Sequence, residues 1–415
     1  MTRPVGMVIV GAGHAGGRAA QALRESGWTG PLTVIGSESH PPHERPPLSK
    51  EMLAGTKTAE DCALLDRDFY REHDIDLRLD ATAIAIDRGR REVRLGDESV
   101  IPYKRLLLAT GAEPRRLPVP GATRDGVHTV RTIADSLALK GRLVGGAHLV
   151  IIGGGFIGLE VASNAVALGC KVTVIETGKR LLMRAVPPEI SERMRARHAV
   201  AGVDIRLGRQ VTGILGDSQV TAVRLDDGSE IACDAVLVSI GAVPRVALAE
   251  AAGLAVDNGI LVDATLRTSD PDIFAAGDVC AFDHRLFGDR IRLESWKNAE
   301  EQGPIAAHNM LGAGEECDAA PWMWSDQYDM TIQIAGLPDR AVRAVERPLG
   351  DKAVVVFHLA ADGRLVGASG YGTSGEIGRA IRLGQMMIER GLCPDPAALA
   401  DPLVNLKALM RQQAA

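Results

Sequence analysis

Short apolar runs that end in glycine recur along the chain and predict buried parallel strands. The first run, Met7 to Val10, leads into the pattern Gly11-x-Gly13-x-x-Gly16 and then into a stretch that suits a helix. In such a strand–turn–helix unit, the first glycine allows a tight turn, the second lets the backbone approach a pyrophosphate, and the third lets helix and strand pack closely. The start of the helix offers N–H groups to phosphates. We therefore expect a dinucleotide-binding unit here.

A carboxylate follows the next predicted strand, Leu32 to Ile35, which ends at Ser37-Glu38. At this place in a nucleotide-binding unit, a carboxylate accepts hydrogen bonds from the hydroxyls of a ribose. The alternative is an ordinary strand–helix–strand turn that binds no ligand. The strand before the glycines and the helix after them favour the nucleotide.

The pattern then occurs a second time. Residues 148–152 form an apolar run before Gly153-x-Gly155-x-x-Gly158, and the following run ends at Glu176. These features repeat those of the first unit in the same order, which indicates an internal duplication of a nucleotide-binding unit.

Two further strand ends fit the duplication. The run from Leu106 to Ala109 is followed by Thr110-Gly111-Ala-Glu-Pro, and the run from Ala235 to Ile240 by Gly241-Ala-Val-Pro. A glycine at a strand end again allows the backbone to approach a ligand closely.

Prolines stiffen the segment His43-Glu-Arg-Pro-Pro-Leu-Ser-Lys50 and predict a rigid loop that is not helical before Leu48. Arg45 and Lys50 are held on this loop, directly after a nucleotide-binding strand. We expect them to face phosphates or an electron-rich ring. The alternative is a solvated loop with ordinary surface charges.

A third landmark is Gly277-Asp278, which follows a predicted short strand from Ile273 to Ala276. Its carboxylate either caps the next helix or accepts hydrogen bonds from sugar or ribityl hydroxyls. From about Ser325 the pattern changes. Four predicted strands, a helix over residues 375–390 and a helical tail over residues 394–415 indicate a separate α+β domain without a glycine phosphate loop.

Composition narrows the classes of function. The net charge of −6 argues against non-specific nucleic-acid binding, which needs a basic surface. The six cysteines form no C-x-x-C pair, and no histidine cluster suggests a metal site. The apolar stretch over residues 149–169 carries a glutamate and several glycines, so we do not expect it to span a membrane. With no signal-peptide pattern at the start, a soluble, cytoplasmic protein is expected.

Several longer stretches resemble one family. They are Arg45-Pro-Pro-Leu-Ser-Lys50, Gly153-Gly-Gly-Phe-Ile-Gly-Leu-Glu160, Arg292-Leu-Glu-Ser-Trp-Lys-Asn298 and Pro321-Trp-Met-Trp-Ser-Asp-Gln327. With both glycine motifs, Thr110-Gly111 and Gly277-Asp278, they make the chain similar to the FAD-dependent ferredoxin reductases of bacterial oxygenase systems, within the pyridine nucleotide-disulfide oxidoreductase superfamily. The similarity runs over nearly the whole chain.

The resemblance implies an α/β fold with two Rossmann-like dinucleotide-binding domains, arranged as in glutathione reductase, and a C-terminal α+β domain. Residues 1–112 and 245–324 would form the FAD-binding domain, 113–244 the NAD-binding domain and 325–415 the last domain. The FAD-binding residues implied are Gly11, Gly13, Ala15, Gly16, Ser37, Glu38, Arg45, Lys50, Ala83, Ala109, Thr110, Gly111, Arg131, Asp278 and Trp296. The NAD-binding residues implied are Gly153, Gly155, Ile157, Gly158, Glu176 and Gly241.

The resemblance also implies an activity. A hydride would pass from NADH to FAD, and single electrons would pass on to a [2Fe-2S] ferredoxin that supplies a Rieske dioxygenase or a cytochrome P450. Lys50, paired with Glu160, would lie by the flavin ring and be catalytic. The ferredoxin would dock near Trp322, Trp324 and Lys407. Core packing is the alternative for the two tryptophans.

Residues 40–60 contain no cysteine, so the redox-thiol chemistry of the disulfide reductases and peroxidases of this superfamily is not expected. Two other functions stay open. One is an NADH reductase for rubredoxin, and the other is a flavoprotein that senses NADH without being an enzyme. We expect a monomer or a weak homodimer.

Overall fold

The structure is a computed structural model that describes residues 5–412. The chain divides into two compact units. The first comprises the described residues up to Pro47 together with Lys57–Glu113 and Ala242–Ala319. The second comprises Leu48–Thr56, Pro114–Gly241 and the described residues from Ala320 onward.

A parallel sheet forms the centre of the first unit. Its strands lie in the order Ile75–Arg78, Leu32–Ile35, Gly6–Val10, Val100–Leu108 and Ile273–Ala275. Val8 is aligned with Thr33 on one side and with Leu106 on the other. All five residues of the strand Gly6–Val10 are buried, which explains why it reads as a continuous apolar run and not as an alternating one.

The remaining elements of the first unit extend or cover this sheet. The long strand Val100–Leu108 also pairs antiparallel with Glu92–Leu95, which in turn pairs with Ala83–Asp87. The helices are His14–Glu25, Arg67–Glu72, Ala247–Ala251 and Trp296–Leu311, with 3-10 turns at Glu60–Cys62 and Gly277–Val279. A second small sheet contains Ile260–Val262, Cys280–His284 and Asp289–Ile291. The helices His14–Glu25 and Trp296–Leu311 pack against each other, because Gly303 lies against the backbone of Ala15.

A second parallel sheet, within the second unit, repeats the order of the first four strands, whereas its fifth strand comes from earlier in the chain than the other four. Its strands are Asp204–Leu207, Lys171–Glu176, His148–Ile152, Ala235–Val238 and Val127–His128, in that order. Its helices are Ile133–Lys140, Phe156–Ala167 and Pro188–Val200, and a three-stranded antiparallel sheet contains Val211–Leu215, Ala222–Leu225 and Glu230–Ala232. The short helix Glu51–Ala54 belongs to the same unit. The predicted duplication is therefore present in the fold.

The last part of the chain forms a five-stranded antiparallel sheet in the order Trp322–Gln327, Met330–Gly336, Leu365–Gly372, Val354–Leu359 and Arg343–Pro348. A 3-10 turn lies at Pro338–Arg340 and helices at Ser374–Glu389, Pro396–Ala400 and Leu406–Gln412. Gly384 lets the helix Ser374–Glu389 lie close to the sheet, since a Cβ there would stand 2.9 Å from the Cβ of Ala368. The predicted mixed α/β fold with a C-terminal α+β part is confirmed.

Three local predictions were wrong. The proline-rich loop contains a 3-10 helix at Pro46–Ser49, because two consecutive prolines set φ values that a helical turn accepts. A break over residues 401–405 divides the predicted helical tail into two helices, and residues 413–415 lie outside the described residues. The expected domain boundary at 325 falls inside the strand Trp322–Gln327, which pairs with Met330–Gly336 in the last sheet. The three-domain assignment otherwise stays a prediction.

Candidate functional site

The first glycine loop closes tightly on the strand end at Ala109. Gly11 has φ +118°, and a Cβ at this position would stand 2.0 Å from the backbone oxygen of Ala109. Gly16 lies so close to the loop that a Cβ would stand 1.9 Å from the oxygen of Gly11. At Gly13, by contrast, a Cβ would meet only the guanidinium of Arg45, at 3.7 Å. The first and third glycines are thus required for packing, and the second leaves space.

The second glycine loop repeats this geometry in the second unit. Gly153 has φ +107°, and a Cβ there would stand 2.2 Å from the oxygen of Ser239. A Cβ at Gly158 would stand 2.5 Å from the oxygen of Gly153, and one at Gly155 would meet no atom of the described chain within 4 Å. Each loop precedes a helix of 12 residues that has neither a side-chain cap nor an acidic residue in its first turn. Both loops fit the diphosphate of a dinucleotide.

A guanidinium, an imidazole and a carboxylate lie close together beside the first loop. Glu38 accepts a hydrogen bond from the guanidinium of Arg45 at 3.0 Å, and its other oxygen lies 3.7 Å from Nε2 of His43. Arg45 is also the side chain nearest to Gly13. Glu38 and Arg45 thus lie beside the first loop, and their roles in binding FAD stay predictions.

His14, the first residue of the helix His14–Glu25, forms a buried contact that was not predicted from the sequence. Its Nε2 lies 2.5 Å from Oε2 of Glu300, and the same oxygen accepts a hydrogen bond from Arg18 at 2.7 Å. Burial lowers the pKa of His14, although Glu300 opposes this change. The buried Nδ1 of His14 has no hydrogen-bond partner within the part of the chain that the structure describes, which suits a polar ligand at this loop. The signal was the histidine inside the glycine motif.

Trp296 lies in the same region of the first unit. Its ring is 5.2 Å from the ring of His14 in an edge-to-face arrangement, and its Nε1 donates to Glu44 at 3.2 Å. Ser295 caps its helix by accepting from the N–H of Asn298. The tryptophan that the resemblance assigned to FAD is thus close to the first glycine loop.

Glu176 lies beside the second glycine loop, as predicted from the sequence. One carboxylate oxygen accepts the N–H of Gly154 at 2.7 Å, and the other accepts the N–H of Gly178 at 2.6 Å. The guanidinium of Arg180 donates to the carbonyl oxygens of Val186 and Met183, at 2.6 and 2.8 Å. Backbone N–H groups therefore hold the carboxylate of Glu176 in place. The guanidinium of Arg180 is already hydrogen-bonded to backbone oxygens of the loop that follows it.

Two equivalent strands, one in each unit, end in the same way. Gly111 and Gly241 both have positive φ, +68° and +100°, at the ends of equivalent strands. Thr110 donates to the backbone oxygen of Arg245 at 2.8 Å. In the first unit, Gly277 has φ +79° and donates its N–H to Gln302, which places the half-buried Asp278 in a 3-10 turn and not at the cap of an α-helix.

Lys50 and Glu160 form an ion pair in the second unit, with Nζ and Oε1 3.6 Å apart. The segment that carries Lys50 is anchored by Asn164, whose amide donates to the oxygen of Ser49 at 3.0 Å. The carboxylate of Glu160 accepts from the hydroxyl of Ser49 at 2.5 Å and from that of Ser325 at 2.6 Å. Burial raises the pKa of Glu160, and Lys50 and the two hydroxyls oppose this rise.

The strand Trp322–Gln327 carries the two tryptophans on one face. Their rings stack with centroids 5.2 Å apart. Nζ of Lys50 lies 5.2 Å from the centroid of Trp324 and 3.5 Å from Oδ2 of Asp326. Sequence reasoning did not predict this strand, because Trp-Met-Trp-Ser-Asp-Gln has three apolar residues followed by three polar ones and so shows no alternation.

The other predicted residues have the following places. In the first unit, Ala15 and Ala109 are buried, Ala83 is half-buried in a strand and Ser37 is exposed. In the second unit, Arg131 is half-buried before a capped helix, Ile157 is 43% exposed at the start of its helix, and Lys407 is exposed on the last helix. The functional roles of all these residues stay predictions.

All six cysteines lie in the described part of the chain outside any disulfide, and five of them are buried. Among residues 5–412 there is no group of three or more His, Cys, Asp or Glu side chains that could hold a metal ion. Within the same residues no helix combines the length and the apolar character that crossing a bilayer requires.

Two family models match the chain. Residues 6–303 match the family model described as pyridine nucleotide-disulphide oxidoreductase, and residues 322–410 match the model described as reductase C-terminal. The chain belongs to the pyridine nucleotide-disulphide oxidoreductase family. The match at 322 agrees with the strand that begins there.

Individual relatives are similar over nearly their whole length. The chain is 43% identical over 406 residues to the anthranilate 1,2-dioxygenase system ferredoxin–NAD(+) reductase component of Burkholderia cepacia, covering 97% of this chain and 98% of the relative. It is 40% identical over 331 residues to a rubredoxin–NAD(+) reductase of Pseudomonas putida, covering 80% and 86%. Among solved structures, the covalent putidaredoxin reductase–putidaredoxin complex matches with a TM-score of 0.95 at 37% identity, covering 100% of both chains.

Proposed function

We propose that the protein is an NADH-dependent ferredoxin reductase that supplies a bacterial oxygenase system. The observation that carries the proposal is the pair of glycine loops with one geometry, since two dinucleotide sites in one chain suit a flavin and a nicotinamide cofactor. The relative from an anthranilate dioxygenase system, a ferredoxin–NAD(+) reductase component, supports the choice of electron acceptor.

FAD would be held by the first glycine loop, with Glu38 and Arg45 beside it, and NADH by the second, with Glu176 at the ribose. When bound, FAD supplies the conversion between hydride transfer and single-electron transfer. Lys50 would offset the negative charge of the reduced ring, and Glu160 would hold Lys50 in place. The second glycine of each loop would leave space for a diphosphate, and the N–H groups at the start of the following helix would orient it.

For the acceptor, we propose a [2Fe-2S] ferredoxin that docks near Trp322, Trp324 and Lys407. The stacked, half-buried tryptophans and the exposed lysine support this region, because aromatic and basic side chains suit an acidic redox partner. We propose a monomer or a weak homodimer. The cytoplasm is the proposed location, and six cysteines outside any disulfide support a reducing compartment.

The function is tested by anaerobic reduction of the FAD-loaded protein with NADH, followed by mixing with a panel of purified [2Fe-2S] ferredoxins and a rubredoxin. We expect at least one ferredoxin to be reduced rapidly, and more rapidly than the rubredoxin. Faster reduction of the rubredoxin would favour the second candidate, which the rubredoxin reductase relative supports. A flavin that NADH reduces but that passes electrons to none of these carriers would contradict both.

A further inference from the structure

A chain of buried hydrogen bonds runs through the second unit from Tyr328 to Glu160. The hydroxyl of Tyr328 lies 3.0 Å from Nδ1 of His198, and Nε2 of His198 lies 2.8 Å from Oε1 of Gln327. The amide of Gln327 donates to the hydroxyl of Ser325 at 3.0 Å, and Ser325 donates to Glu160 at 2.6 Å. Three separate elements therefore share one polar network.

The interior members of this chain are out of contact with water. His198 and Ser325 are 0% exposed, Gln327 is 1% exposed and Glu160 is 6% exposed. A polar group without a hydrogen bond at this depth would destabilise the folded protein. A network of this kind is stable only when every donor has an acceptor.

With Glu160 as a carboxylate, the hydrogen bonds of this chain have one consistent set of directions. A carboxylate only accepts, so the single hydroxyl proton of Ser325 must go to Glu160. Ser325 must then accept from the amide nitrogen of Gln327, which turns the amide oxygen towards His198. Nε2 of His198 therefore carries the proton, and Nδ1 accepts from Tyr328. Burial lowers the pKa of His198 to about 4, which agrees with the neutral ring that this arrangement needs.

The second oxygen of Glu160 is held in the same way by Ser49, the residue directly before Lys50. The charged groups that face Glu160 are Lys50, at 3.6 Å, and Asp326, which lies 3.5 Å from Lys50. The two serines thus stabilise negative charge on Glu160 from both sides, while Asp326 opposes it.

We propose that Ser49 and Ser325 are positioning residues that keep Glu160 as a carboxylate beside Lys50, and that Gln327, His198 and Tyr328 fix the direction in which Ser325 donates. The importance of this role for electron transfer rests on the proposed function, in which Lys50 acts on the reduced flavin. The ionisation of Glu160 itself does not depend on the electron acceptor.

The test is the infrared spectrum of the oxidised, FAD-loaded protein as a function of pH, without NADH. The band of the protonated carboxyl group is assigned to Glu160 by its loss in Glu160→Gln. We expect Ser49→Ala and Ser325→Ala each to raise the pH at which Glu160 ionises, by about one to two pH units, since a hydrogen bond to a charged group is worth about 1.5–3 kcal/mol. Ser325→Thr, which keeps a hydroxyl, should restore the wild-type value.

The matched control is Ser163→Ala. Ser163 is similarly buried on the helix of Glu160, but its hydroxyl donates to the backbone oxygen of Glu160 at 2.9 Å and not to the carboxylate. A second readout is the midpoint potential of the bound flavin, which should rise in the double variant Ser49→Ala, Ser325→Ala towards the value of Glu160→Gln. Thermal unfolding and FAD content identify any variant that fails to fold, and the single variants then carry the test.

An unchanged ionisation of Glu160 in the double variant, or an equal change in Ser163→Ala, would overturn the proposal. If the protein reduces no ferredoxin but the serine variants shift the ionisation of Glu160, the proposed function fails and the positioning of Glu160 stands. If ferredoxin is reduced and the ionisation does not shift, only the positioning fails.

Discussion

The helix after the first glycine loop begins with buried residues, whereas the helix after the second begins with accessible ones. His14 and Ala15 are 7% and 6% exposed, and the helix Trp296–Leu311 packs over them. At the equivalent positions of the second helix, Phe156 is half-buried and Ile157 is 43% exposed. The backbone of the two loops is the same, so the difference lies in what covers them.

This difference agrees with the two roles in the proposed function. A cofactor that stays bound through many turnovers benefits from a covered loop, and a cofactor that must leave after each turnover needs an open one. The carboxylates show a similar contrast, because Glu38 is paired with the side chain of Arg45, whereas Glu176 is held by the backbone N–H groups of Gly154 and Gly178. One duplicated unit can thus serve two ligands with different residence times.

The largest expected effect comes from alanine at the second glycine of either loop. Gly13 and Gly155 have φ values of −89° and −86°, which alanine accepts, and a Cβ there would enter the space proposed for a diphosphate. We expect Gly13→Ala to lose FAD, and Gly155→Ala to keep FAD but to bind NADH about 10²-fold more weakly. The FAD-to-protein absorbance ratio and stopped-flow reduction by NADH measure the two effects.

The control for these variants is Gly375→Ala. A Cβ at Gly375, like one at Gly155, meets no described atom within 4 Å, and Gly375 is distant in sequence from both loops. It should leave FAD content and NADH binding unchanged. Loss of FAD from Gly155→Ala, or full FAD content in Gly13→Ala, would reverse the assignment of the loops.

The next effect concerns the choice between NADH and NADPH at the second loop. The 2′-phosphate of NADPH would meet the negative charge of Glu176, and the loss of hydrogen bonds to the ribose adds to this repulsion. We expect kcat/KM to favour NADH by at least about 10²-fold, and Glu176→Ala to remove most of this preference. Arg180 cannot readily rescue NADPH binding in the wild type, because its guanidinium is bonded to Val186 and Met183.

Glu38→Ala is the matched variant at the first loop. Assayed with FAD in excess, it should leave the ratio of kcat/KM for the two nicotinamide cofactors as it is in the wild type. A wild type that uses NADPH as well as NADH would refute the role of Glu176. A ratio that changes in Glu38→Ala and not in Glu176→Ala would show that the loops have been exchanged.

The features that could be predicted from the sequence are those that depend on the local conformation of the backbone. Gly11 and Gly153 adopt the positive φ that the predicted tight turn requires. The Lys50–Glu160 pair was also expected, but only through the family resemblance. Local patterns could be read because each depends on residues close together in the chain.

Contacts between distant segments could not be predicted in this way. His14 and Glu300 are separated by 286 positions, and Ser325 and Glu160 by 165. Serine and glutamine on a short strand read equally well as surface residues, and only the fold shows that Ser325 and Gln327 face the interior. Strand alternation indicates which side chains share a face, but not which face is buried.

The smallest expected effect is that of replacing Glu300, whose carboxylate joins the covering helix to the helix of the first loop. Hydrogen bonds from His14 and Arg18 join the two helices at this carboxylate. Burial acts to raise the pKa of Glu300, but these hydrogen bonds outweigh it, so the pKa is lowered from its ordinary value of 4.5. A lowered folded-state pKa stabilises the protein above the unfolded value, and this contribution disappears as the pH falls through the folded-state value.

Glu300→Gln should therefore lower the thermal midpoint of the FAD-saturated protein at pH 7 by about 1–3 °C, corresponding to about 1–2 kcal/mol for a partly exposed charged contact. The difference from the wild type should shrink below about pH 4.5, where the carboxylate of the unfolded chain takes up a proton, and should disappear as the pH falls through the lower folded-state pKa. The control is Glu301→Gln on the same helix, which removes a half-buried pair with Lys297 one turn away within that helix and should cost less than about 0.5 kcal/mol. Equal midpoints for the two variants at pH 7 would mean that the contact at His14 does not hold the cover over the first loop. The contrast between a covered and an open loop would then rest on packing alone.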